Sequence, residues 1–173
     1  IDFWRRFNSM AYLVPAEEIR KEIVIQGSRF IATIAPVFSV DEAKAFLVRM
    51  RSEFSDATHN VPVYLIGSGN SVLAHASDDG EPSGTAGRPA LAVLQGSGLG
   101  DVAVVITRYF GGNKLGTGGL VRAYTQVVQE VVSAVPRAEK ALVDTFLLAV
   151  PYSLLERIRI LVGEMRGEIL DKE

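Results

Sequence analysis

Cysteine is absent from the chain, which excludes disulfides, thiolate metal sites and a cysteine nucleophile, and the two histidines, His59 and His75, are too few for most zinc sites. Long apolar runs are also missing. No stretch approaches the roughly 18 residues that span a bilayer, and the start has no signal-peptide pattern, so a soluble protein of a reducing, cytoplasmic compartment is expected. Charge of one sign is scarce too: Lys and Arg total 18 against 20 Asp and Glu, a net charge of −2. That balance argues against coating nucleic acid through bulk electrostatics, and there is no DNA-specific signal.

What remains is ordinary globular material. With 48% apolar residues in a chain of 173, a core can form without staples. The chain begins with Ile1 rather than Met, so residues 1–9 read as a non-native remnant ahead of a natural start at Met10.

The β-prone runs 19–25 and 28–35, separated by Gln26-Gly27, predict a hairpin. Ser39 with Glu42 predicts a capping box opening a helix over 39–54, with Val40, Ala43, Phe46, Leu47, Met50 and Phe54 on one face. Strands are expected at 61–67 and 71–76, with Pro62 marking an edge or a strand entry. Pro89 opens a helix to about Gln95, with Leu91 and Leu94 inward.

The run VAVVIT after Asp101 predicts a strand covered on both faces. Leu120, Val121, Tyr124, Val127, Val128, Val131, Val132 and Val135 recur at helical spacing. Pro136 ends that helix, and 136–140 reads as a linker. Beyond it, a strand at 141–150, a helix boxed by Ser153 and Glu156, and a strand at EIL give a βαβ unit without closing partners.

Two glycine-rich loops of opposite sign are the chemical features. TRYFGGNKLGTGGLVRAY (107–124) contains five glycines, three cations and no acid. It fails the Walker spacing, because Lys114 precedes Gly116, and it fails the dinucleotide fingerprint, because Val121 stands at the sixth position. The remaining reading is an anion site: Arg108, Tyr109, Gly111, Gly112, Lys114, Gly116, Gly118, Gly119 and Arg122 around a helix amino end. The alternative is glycines that serve turning and packing, with solvated cations.

HASDDGEPSGTAG (75–87) carries Asp78, Asp79 and Glu81, oxygens suited to Mg²⁺ or to turn formation. It lacks the EF-hand spacing, and no resident cofactor is otherwise implied. His59, near Asp56 and Thr58, is a candidate general base; Asp78, Asp79 and Glu81 are weak catalytic candidates, and Ser77 or Ser83 a nucleophile. The simpler reading is a histidine that fills a strand end.

Three blocks together, DATHNVPVYLIG (56–67), SDDGEPSGTAGRPALAVL (77–94) and the basic block DVAVVITRYFGGNKLGTGGLVRAY (101–124), closely resemble the Impact family, in particular its bacterial YigZ-type branch. The resemblance covers about residues 19–135. It implies an α+β chain: an amino-terminal domain over 10–135 similar to a ribosomal-protein fold, with four or five strands and helices on one face, then an incomplete ferredoxin-like domain over 141–173.

Eukaryotic relatives are translational regulators with an extra recognition domain, so their partner does not transfer. The family offers no established catalytic residues, and Val61 stands where the typical block has Cys. The resemblance implies a translation-associated binding protein that engages RNA or ribosomal material, more a binder than an enzyme. A small metal-assisted hydrolase, with both loops around one pocket, and a protein-binding regulator without RNA contact are the alternatives. Oligomeric state is not legible.

Overall fold

The computed structural model describes residues 11–141, 143, 145–165 and 167–170; the expected remnant at 1–9 lies outside the described residues. The chain divides into two units at residues 142 and 143.

The first unit contains strands β1 (Tyr12–Pro15), β2 (Ile19–Ile25), β3 (Ser28–Pro36), β4 (His59–Ile66), β5 (Leu73–Ala76), β6 (Val102–Tyr109) and β7 (Arg137–Lys140). Its helices are α1 (Val40–Glu53), α2 (Gly87–Gly96) and α3 (Gly116–Ala134). The hairpin forms as the residues demand: Gln26 and Gly27 both take positive φ, and β2 pairs with β3 in register. Ser39 caps α1 through the Glu42 N–H, while the Glu42 carboxylate accepts from Phe38 N–H at 2.8 Å.

Five strands form one antiparallel sheet in the order β2-β3-β6-β4-β5. Pro62 lies on the interior strand β4, not at the sheet edge. Its carbonyl accepts from Ser77 N–H, so its nitrogen faces the side where β5, paired only as far as Val63, has ended.

The expectation of helices on one face is corrected. Phe30, Ala32, Val61, Val104 and Ile106 pack with α2 and α3 on one side, whereas Ala35, Tyr64, Ala103 and Val105 pack with α1 on the other. The crossovers β3-α1-β4 and β5-α2-β6 run in opposite strand sense and opposite direction across the sheet, so two right-handed connections would share a face. Because they lie on opposite faces, one connection is left-handed, against the general preference. Strand β6 is buried from Val102 to Arg108, as its uninterrupted apolar run predicts.

The linker reading of 136–140 is also corrected: Arg137–Lys140 is β7, paired with β1, a strand the sequence reading missed. Asp101 ties this pair to the sheet. Buried and at φ 45°, it accepts from Gly67 N–H at 2.7 Å, the Tyr12 hydroxyl and the Lys140 ammonium. Val121, expected inward on α3, is 37% exposed, while the rest of that stripe is buried.

In the second unit, helix α4 (Leu155–Glu164) follows a short 3-10 turn at Tyr152–Leu154. Ser153 makes no side-chain cap, so the expected box with Glu156 is not formed. The described residues of 141–150 and 167–170 form no strand, and Val143, Phe146 and Leu147 are exposed. A strand requires a hydrogen-bonding neighbour, and the described residues of this unit supply none.

Candidate functional site

Strands β5 and β6 are parallel through β4, so loops 77–86 and 110–115 leave the sheet at the same end, each leading into a helix amino terminus. His59 begins β4 there, directly opposite Arg108, and Phe30 faces Arg108 on its other flank. The acidic and basic loops therefore converge.

They meet in a buried polar cluster. Glu81, 7% exposed, accepts through Oε1 from Arg108 Nη1 at 2.6 Å and from the Tyr124 hydroxyl at 2.8 Å. Tyr124 meets Phe30 edge to face, and the Arg108 guanidinium lies over Phe30 at 5.3 Å and Phe110 at 5.8 Å. Burial, and then the Glu81 charge, push the Tyr124 hydroxyl well above the usual tyrosine range. His59 Nδ1 lies 2.7 Å from the Asp79 carbonyl, its natural acceptor, which leaves Nε2 turned toward Glu81 Oε2 at 3.8 Å.

Each carboxylate of the acidic loop has protein partners. Asp78 accepts from the N–H groups of Gly84, Ala86 and Gly87 and so caps α2. Burial raises its pKa, but those three donors outweigh burial and hold the carboxyl below the usual aspartate range. Asp79, at φ 47°, accepts from Asn60 N–H and pairs with Arg51. Among the described residues, no three His, Asp or Glu side chains are arranged to hold a metal ion.

Ser77 accepts from Asp79 N–H and has no hydrogen bond to His59 among the described residues. Ser83 is exposed. Asp56, the acid nearest His59 in sequence, instead accepts from the Tyr109 hydroxyl, on which the Arg29 guanidinium stacks.

The basic loop separates into two parts. At its entry, Phe110 N–H donates to Thr58 Oγ1 and Gly111 N–H to Ser28 Oγ. A Cβ on Gly111 would lie 1.9 Å from the Gly27 carbonyl carbon, so this glycine answers to packing against the β2–β3 turn. Beyond it, Gly112 and Gly116 take positive φ. Gly118 and Gly119 stand in the first turn of α3, not in a loop. A Cβ on Gly119 would meet Leu115, whereas Gly118 faces open space.

Helix α3 has no side-chain cap and no acid in its first turn. Lys114 and Arg122 are exposed and form no ion pair among the described residues. Arg108 is different: it is 6% exposed and committed to Glu81.

The sequence reading missed Tyr124 as a polar partner, because at helical spacing among valines it reads as core. Two shallow grooves, of about 480 and 380 Å³, lie elsewhere on the first unit, lined by Ala35, Phe46 and Arg49 and by Val93, Gln129 and Arg137 respectively. No helix among the described residues is long and apolar enough to cross a membrane.

Comparison with known proteins agrees with the three sequence blocks. The Impact N-terminal domain matches residues 26–132. The chain is 38% identical to IMPACT family member YigZ of Escherichia coli over 94% of its length and 80% of the relative's. It is 42% identical to IMPACT family member YvyE of Bacillus subtilis over 86% and 68%. A crystal structure of a hypothetical protein superposes with a TM-score of 0.75 at 38% identity, covering 95% of this chain and 80% of that one. The chain belongs to the Impact family.

Proposed function

We propose that this Impact-family chain is a translation-associated binding protein that contacts RNA, on ribosomal material, through the amino end of α3. Family membership supports the translation context, because the eukaryotic members that the sequence blocks resemble are translational regulators. The observation that carries the RNA contact is the asymmetry between the two neighbouring helix starts. Asp78 caps the amino end of α2 through the Ala86 and Gly87 amides, whereas α3 begins without a cap or an acid, beside exposed Lys114 and Arg122 and the open face of Gly118.

Uncommitted amides and exposed cations around a glycine without a side-chain neighbour form a surface that a phosphate backbone can approach closely. Arg108 is not part of this exposed contact, since Glu81 holds it in the interior. Lys114→Glu with Arg122→Glu tests the proposal by RNA and ribosome association across a salt series. Loss of two phosphate contacts lowers the salt slope by about 1.4 for single-stranded RNA. An unchanged affinity and slope would sink the reading.

The hydrolase alternative requires the two loops to converge, and they do. Their convergent groups, however, are engaged with one another: Glu81 with Arg108 and Tyr124, Asp79 with Arg51, Asp78 with backbone amides. The binding reading is therefore the one this geometry favours.

A further inference from the structure

Arg108 carries an unmet hydrogen-bonding demand. Its guanidinium uses Nη1 for Glu81, while Nε is buried without a partner and Nη2 has no acceptor among the described residues. Nε–H and the adjacent Nη2–H point in parallel and form the side-on edge of a guanidinium, the edge that takes two oxygens of a carboxylate or phosphate at once. Arg29 shows that edge occupied in this same protein, with Nε 2.8 Å and Nη2 3.1 Å from the two oxygens of Glu22.

A buried donor left unpaired costs about 1–3 kcal/mol, so an orphan at the end of a core strand calls for an acceptor. We propose that the side-on edge of Arg108 is a binding site for a phosphate group, with Glu81 holding the opposite edge and fixing the guanidinium plane. This site goes beyond the exposed contact at α3 and rests on the RNA reading only for the phosphodiester as source; free phosphate offers the same pair of oxygens.

The surroundings supply both orientation and access. Arg108 lies between the Phe30 ring, fully buried, and the Phe110 ring, 49% exposed. The Phe110 backbone is pinned to Thr58 and the next amide to Ser28, so rotation of the exposed ring, not loop movement, uncovers the guanidinium. Arg108 and Glu81 already balance, so a phosphodiester adds one net negative charge; it meets only donors at this edge, beside the half-exposed Phe110 ring where solvent screens it.

The test follows the Arg108 Nε–H resonance of the full chain by ¹H–¹⁵N NMR during titration with inorganic phosphate and, separately, with a short single-stranded oligoribonucleotide. A saturable shift with either ligand is expected. In Arg108→Lys, which keeps the charge toward Glu81 but has no fork, phosphate affinity should fall at least about tenfold. If Arg108→Lys does not fold, the wild-type resonance decides alone.

A shift with phosphate but not with RNA supports the site with free phosphate as its ligand. A shift with RNA supports the phosphodiester. An Arg108 resonance that stays still while RNA binding remains sensitive to Lys114→Glu overturns this site and leaves the RNA reading standing. A silent resonance with no RNA binding ends both, and so does, for this site, an ordered water that satisfies Nε and persists in saturating phosphate.

Discussion

Arg108 Nη1 and Glu81 Oε1 lie 2.6 Å apart, with side chains 7% and 2% exposed, and this contact joins the acidic loop to the central strand β6. Tyr124 on α3 donates to the same oxygen, so three elements distant in sequence converge on one carboxylate. A pair of this kind owes its strength to completeness: removing either partner leaves the other charged, buried and alone.

Glu81→Gln should therefore destabilise the first unit by about 3–5 kcal/mol, measured by urea denaturation. Glu81→Leu combined with Arg108→Met should recover most of that loss, because the buried charge disappears with its partner. A double variant as unstable as the single one would show that the pair has no such coupling.

Tyr124 links the cluster to alkaline stability. Its folded pKa is raised above the unfolded value, first by burial and then by Glu81, so its contribution is complete below about pH 10 and declines as pH rises through and beyond that value. Tyr12 and Tyr109 are also raised, in each case by burial and then by hydrogen bonding to Asp101 and Asp56. Stability measured from pH 8 to 11 should fall less steeply in Tyr124→Phe than in the wild type, though from a lower plateau.

Acid acts through Asp78 and Asp101. Burial raises both pKa values, but hydrogen bonds prevail: backbone donors for Asp78; Lys140, Tyr12 and Gly67 for Asp101. Both carboxyls thus sit below the unfolded value near 3.9, and their stabilisation, present above that pH, is lost as pH falls below it. Asp78→Asn and Asp101→Asn should each flatten the acid limb of a stability curve between about pH 5 and 2. Asp78→Ala should also cost about 1–2 kcal/mol at neutral pH as a lost helix cap.

Two glycines of the basic loop should respond in opposite ways. Gly111→Ala drives a Cβ into the Gly27 backbone and should destabilise by about 3 kcal/mol or more. Gly118→Ala meets nothing within 4 Å and should stabilise by up to about 1 kcal/mol through helix propensity. If RNA approaches the amino end of α3, Gly118→Ala should weaken RNA binding while raising the thermal midpoint.

Local chemistry was legible wherever the deciding contacts are local. The Gln26-Gly27 hairpin, the Ser39 cap, the β6 run and the stripe of α3 follow from periodicity and turn residues, and the three loop blocks identify the family. Strand β7 was not legible, because RAEK has no strand periodicity and exists only by pairing with Tyr12–Pro15, more than a hundred residues earlier. Helices on both faces depend on one left-handed connection, and no local pattern encodes the hand of a crossover.

Residue types and their order determined that a carboxylate-rich loop and a basic glycine loop each precede a helix. Only the tertiary structure decided which charges are available. The register that sets Arg108 between Phe30 and His59 buries it against Glu81, while Lys114 and Arg122 remain in solvent. Composition treats those three cations alike; desolvation does not, because a charge withdrawn from water must find its partner inside the fold.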